Sequence, residues 1–215
     1  MLKKLLFCII SLLLLVSCAS YNEDQIINEL NNYFSKAKVV LDVKTNNSLP
    51  YYSFYLPSDM AYEDCVDENV VLKYNNSKMV MNLNISKIID NSIDNDILYD
   101  EGYFIDDRLF YVSQGEYVNV DGTLKNYFVK VYKGDPYYIV HLMSDDVNTF
   151  AYCLKEETIE TVKHVMLVAR STSVDYELVK SEYSNDNVVL VEKMPVDLFQ
   201  SIMPEKGRVD ELLTE

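Results

Sequence analysis

Across residues 49–154 of this 215-residue chain, apolar side chains recur at every second position, in short runs separated by polar turns. Period two marks strands with one face on a core, and short turns between successive strands make them antiparallel neighbours. Residues 51–56 form an aromatic, extended run that Pro57 stops. Residues 70–74 and 79–83 flank Asn75-Asn76-Ser77-Lys78, and 103–105 and 109–112 flank Asp106-Asp107-Arg108. Residues 127–132 and 137–143 are joined through Gly134-Asp135-Pro136, and 147–154 returns after Ser144-Asp145-Asp146. This pattern predicts a meandering antiparallel sheet of roughly six to eight strands.

Helical spacing brackets the sheet. Ile26, Ile27, Leu30, Tyr33, Phe34 and Ala37 form one stripe, predicting a helix over 22–38 in which Asn22 and Gln25 cap each other. Ile159, Val162, Val165, Met166 and Ala169 predict a second helix over 156–170. Ser173 is expected to cap a third that runs to about Tyr183. Residues 188–191 read as a late strand, and a short helical tail follows from Met194. The fold class is therefore α+β: an antiparallel meandering β-sheet, with an N-terminal helix and C-terminal helices packed on it.

The first residues are of another kind. Lys3 and Lys4 precede an apolar run over 5–16 that is interrupted only by Ser11. A dozen residues fall short of the ~20 that span a bilayer and match the core of a secretory signal. The run ends in Leu15-Val16-Ser17-Cys18, which resembles the lipobox of bacterial lipoprotein signal peptides. The resemblance implies that Leu15, Val16 and Ser17 are read by the processing machinery, and that the Cys18 thiol receives diacylglycerol before cleavage just ahead of it. The alternatives are an ordinary cleaved signal with an incidental cysteine, or a short uncleaved anchor. The expected organisation is a signal peptide at 1–17, a lipidated tether at 18–21 and one extracytoplasmic domain at 22–215. The first partner is then the lipid bilayer, reached through Cys18. Two acyl chains give the stable anchoring that one cannot.

Charge narrows the remaining partners. The chain holds 34 acidic and 19 basic residues, a balance of −15. Cleavage would remove Lys3 and Lys4 and no acid, leaving −17. Nucleic acid is excluded as the main partner, because phosphate backbones require a basic surface, and anionic headgroups would repel the domain everywhere but at its tether. The Phe54-Tyr55-Leu56-Pro57 strand, followed by a meander and a closing helix, resembles PsbP-like domains in topology over residues 51–170. Ser58, Asp59 and Met60 stand where those domains often carry a glycine and a tryptophan, so no site residue is carried over.

Several groups of residues are candidates for chemistry. Asp90, Ser92, Asp94, Asp96 and Glu101 resemble the oxygen ligands of a twelve-residue EF-hand calcium loop. Asn95 occupies the place of its sharp-turn glycine, no second copy pairs with it, and the string equally fits an acidic surface loop. Cys65 and Cys153 invite a disulfide in an oxidising compartment, worth about 4 kcal/mol on the chain-entropy model. They fit equally well as separate buried thiols. His141 and His164 are the two histidines, and neither lies at ligand spacing from a partner. No Gly-x-Ser-x-Gly elbow or Walker loop is present.

Eighteen tyrosines and no tryptophan offer an aromatic binding face, or simply sheet lining. Tyr51, Tyr55, Tyr74, Tyr111, Tyr127, Tyr132, Tyr138 and Tyr152 all fall in predicted strands, which favours lining. Three functions are consistent with these features. The leading one is a lipid-anchored, non-catalytic binding or accessory module for an unknown protein or small ligand, with no cofactor. A cryptic hydrolase requires a pocket lining His141 or His164 with carboxylates in reach. A calcium-dependent adhesion or binding protein depends on the loop that begins at Asp90.

Overall fold

The computed structural model describes residues 22–66, 69–90, 108–134 and 136–183. The chain enters through α1 (Glu23–Phe34), and Asn22 caps it by accepting the N–H of Asp24 at 3.3 Å. Gln25 does not return the cap, because its side-chain amide donates to Glu29 one turn on, at 3.1 Å. The helix ends sooner than the apolar stripe implies. Tighter turns after Ser35 still carry Ala37 into the core, its N–H bonded to the Phe34 carbonyl at 3.0 Å.

Next in order are β1 (Asn47–Ser48), β2 (Tyr52–Phe54), β3 (Met60–Val66), β4 (Asn69–Tyr74), β5 (Ser77–Leu83) and the short helix α2 (Ile85–Ile89). Then come β6 (Leu109–Val118), β7 (Leu124–Lys133), β8 (Tyr137–Ser144) and β9 (Val147–Leu154). A single 3₁₀ turn leads into α3 (Thr158–Ser171), β10 (Ser173–Val174) and α4 (Tyr176–Tyr183). The architecture is α+β with antiparallel pairing throughout, as the alternation predicts. The predicted strand at 103–105, the late strand at 188–191 and the tail from Met194 lie outside the described residues.

Seven strands form the main sheet in the order β3-β4-β5-β9-β8-β7-β6. Two meanders, β3 to β5 and β6 to β9, meet along the β5–β9 seam, where Met79 faces Ala151 and Met81 faces Thr149. Asn75, at φ +49°, turns β4 into β5, a conformation that asparagine tolerates better than most residues. A second sheet, β1-β2-β10, is small. It accounts for the late start of α4: Ser173 and Val174 pair with Ser53 and Tyr52 instead of opening the helix. Asp175 takes over the capping role, accepting the N–H of Leu178 at 3.0 Å.

Both long helices cover one face of the main sheet. Ile26, Leu30 and Phe34 of α1 join Val162, Val165, Met166 and Ala169 of α3 over Val70, Leu72, Met79, Val129, Val140 and Leu142. The two helices also run the same way. Glu23 at the start of α1 pairs with Lys133 at the end of β7 (2.6 Å), while Lys38, beyond α1, pairs with Glu116 near the opposite end of β6 (2.6 Å). Thr161 in the first turn of α3 meets Ser77 at the start of β5 (3.0 Å), and the Arg170 carbonyl accepts the Val120 N–H in the β6–β7 turn (2.8 Å). The domain thus has a near end, where α1 begins, and a far end formed by the β6–β7 and β8–β9 turns. Ten-residue strands at ~3.3 Å per residue set these ends about 30 Å apart.

Strand β3 departs from the alternation because it is a sheet edge, and only Met60 of its seven residues is buried. A bulge between Tyr62 and Asp64 bends it, and the Asp64 carboxylate accepts the Cys65 N–H at 2.8 Å. Such features blunt an edge against pairing with other chains.

Candidate functional site

At the far end, four elements border an open cleft of about 510 Å³. Lys87 and Ile88 come from α2, Leu124, Lys125 and Asn126 from the start of β7, Asp145 and Asp146 from the β8–β9 turn, and Tyr176 and Lys180 from α4. Strand pairing places the start of β7 and the β8–β9 turn, and β10 leads into α4. The β8–β9 turn is locked by the Ser144 hydroxyl, which accepts the Val147 N–H and donates to the Val147 carbonyl, both at 3.0 Å. Asn84 fastens the entry to α2 on the same turn, donating to the Ser144 carbonyl at 2.8 Å.

A charged triad forms the inner wall. Asp146 is 1% exposed, and its Oδ1 accepts from Lys125 Nζ at 3.0 Å and from the Tyr176 hydroxyl at 2.6 Å. Lys125 also donates to the Tyr176 oxygen and lies 4.8 Å from the centre of its ring. Burial, and then the Asp146 carboxylate, hold the Tyr176 hydroxyl far above its ordinary ionisation range, so it stays a donor. Tyr117 lies beneath them, and burial raises it as well, with a further rise from the Asp146 charge. Asp145 closes the rim by accepting the backbone N–H of Asn126 at 2.7 Å and its side-chain amide at 3.1 Å.

None of these residues stands out in the sequence. Lys125, Asp146 and Tyr176 are far apart along the chain, and each alone looks like an ordinary strand-end or surface residue. The single hint is the Ser144-Asp145-Asp146 turn, legible as a turn but not as half of a site.

The residues singled out from sequence are distributed differently. Cys18 with Leu15, Val16 and Ser17 lies outside the described residues, as do Ser92, Asp94, Asp96 and Glu101 of the calcium string. Asp90 is described, exposed at the end of α2. Among the described residues no group of three His, Cys, Asp or Glu side chains converges on a point.

Cys65 and Cys153 are free thiols. They sit on β3 and β9 with β4 and β5 between them, and the register sets Cys65 in line with Val70, Met81 and Thr149. Three strand spacings put them about 14 Å apart across the sheet alone, well beyond disulfide reach. Cys153 is instead a buried thiol, which burial pushes up to about 11.

His141 is buried on β8, stacked on Phe150 at 3.9 Å, and burial pushes it down to about 3, so it is neutral at physiological pH. His164 stacks on Tyr74 at 4.1 Å, with Nδ1 2.7 Å from the Glu160 carbonyl and Nε2 3.1 Å from Asp59 Oδ2. A carboxylate is in reach of His164: Nδ1 is engaged by the carbonyl one turn back in α3, and Nε2 meets Asp59 of the β2–β3 turn. The tyrosines behave as sheet lining. Tyr111, Tyr127, Tyr132 and Tyr138 are buried, and Tyr111 and Tyr127 stack on Phe34.

No protein-family model and no curated protein matches the chain. Among the described residues no helix is long and apolar enough to cross a membrane.

Proposed function

We propose that the protein is a lipid-anchored, non-catalytic binding module that works outside the cytoplasmic membrane, with the far-end cleft as its binding site. The observation that carries this is the spacing between anchor and domain. Only Ala19, Ser20 and Tyr21 lie between Cys18 and the cap of α1. Three extended residues reach about 10 Å, against a sheet about 30 Å long. With α1 starting at the near end, the cleft is presented away from the bilayer, towards whatever arrives from outside.

The acidic balance of the mature chain supports a domain that stands off the bilayer, since an anionic headgroup layer repels a chain of this net charge. Binding without turnover accounts for a cleft whose tyrosine is a donor and whose carboxylate is already shared between two partners.

Growth with labelled palmitate, followed by fractionation of cells carrying the full chain or its Cys18→Ser variant, tests the anchor. Label is expected on the parent and is lost in the variant, which also keeps its uncleaved apolar run. A parent that takes up no label, or a variant labelled as strongly, would overturn the lipid anchor.

A further inference from the structure

The cleft is an electrostatic exception in this molecule. In a chain with 34 acidic and 19 basic residues, three lysines, Lys87, Lys125 and Lys180, meet there against two aspartates. Asp145 accepts from Asn126, and Asp146 accepts from Lys125 and Tyr176 at Oδ1, while its buried Oδ2 has no hydrogen-bond partner among the described residues. An ammonium group has three N–H donors, and Asp146 and Tyr176 use two of those on Lys125. The third is left for the cleft, on a nitrogen already held in place. Lys180 is exposed on α4 and makes no ion pair among the described residues.

Building on the cleft as the binding site, we propose that it takes a small oxyanion-bearing molecule whose phosphate or carboxylate group sits between Lys125 and Lys180, with Lys87 at the rim. A volume of about 510 Å³ suits a metabolite-sized body attached to that group. Nucleic acid carries the same phosphate chemistry but meets a domain of −17 beyond the cleft, so the ligand is small. A fixed cation is the effective kind of anion receptor, because ordering the lysine is not left to the binding step. Charge-assisted hydrogen bonds then supply the affinity.

The full chain in detergent micelles, with its lysines carrying carbon-13 at Cε from labelled growth medium, keeps all three N–H donors on each ammonium and reports each lysine separately by NMR. Inorganic phosphate and succinate are titrated in turn, with sodium chloride matching the ionic strength. Saturable shifts at the Lys125 and Lys180 signals with one anion are expected, and they identify the phosphate or carboxylate source. Lys180→Gln should weaken that binding roughly tenfold, the loss of one charge-assisted contact. The urea midpoint of this exposed-site variant should stay unchanged.

Shifts that rise linearly and equally across all lysines, as chloride produces, overturn the anion site. Labelling intact cells with a membrane-impermeant amine reagent separates the two levels. Protection of Lys180 in cells without saturation by either anion keeps the cleft as a binding site and overturns the anion. Neither protection nor saturation overturns both.

Discussion

Lys125 Nζ and Asp146 Oδ1 lie 3.0 Å apart between the start of β7 and the β8–β9 turn, with the aspartate side chain 1% exposed. Removing one member of a buried pair strands the other in a medium that cannot solvate it. Asp146→Asn should cost about 3 kcal/mol of stability, and Lys125→Met a similar amount. Urea unfolding of the two single variants and the double variant checks this. The double should lose clearly less than the sum, because neither charge is then left alone.

Alkaline pH should loosen the fold through its tyrosines. Burial, and then Glu23, push Tyr138 up to about 12, against 10.0 for a free tyrosine. Tyr117 and Tyr176 are raised further by burial and Asp146. An unfolded chain releases these protons near pH 10 while the folded chain keeps them. The stability they contribute is therefore complete below about 10 and is lost as pH rises towards 12 and beyond. Absorbance at the phenolate band should show some of the 18 tyrosines titrating freely, and these three only together with unfolding.

Acid acts through His141 with the opposite sign. The folded domain holds this histidine neutral down to about 3, whereas an unfolded histidine protonates near 6.5. Its contribution is present above 6.5 and is lost as pH falls towards 3. Burial is the main cause, and Lys130, its register partner on β7, adds to it. His141→Leu should flatten the acid limb of stability against pH relative to the parent, as read from urea midpoints at pH 7 and pH 5. Equal slopes for the two proteins would rule this out.

Much of the fold is legible in the sequence. The alternation from Val147 to Leu154 marks β9 along its full length, because every second residue of this interior strand is buried. The stripe from Ile26 to Phe34 identifies α1 for the same reason at helical period. Strand β3 was not legible, since its residues face solvent at a sheet edge and carry no alternation. The middle of β6, Ser113 to Glu116, lacks apolar side chains for a similar cause, since β6 is the opposite sheet edge. The cleft was hidden more deeply. It arises where α2, β7, the β8–β9 turn and α4 come together, and no local pattern records that convergence.

The β7–β8 connection offers a local check. A methyl group on Gly134 would sit 2.2 Å from the Tyr137 carbonyl oxygen, a rigid backbone atom that cannot step aside. Gly134→Ala should therefore cost about 1–3 kcal/mol, as overpacking does elsewhere. Thermal unfolding of the variant measures it, and an unchanged midpoint would show that the turn relaxes freely.

The parallel run of α1 and α3 has a mechanical consequence. A load applied at the N-terminus pulls α1 lengthwise past its neighbours instead of lifting it away from them. Ile26, Leu30 and Phe34 then slide against the sheet in shear and must let go together. The contacts of Glu23 with Lys133, Lys155 and the Tyr138 hydroxyl lie at the loaded end and yield first. A pull on α1 along its axis is therefore resisted by the whole of its buried face at once.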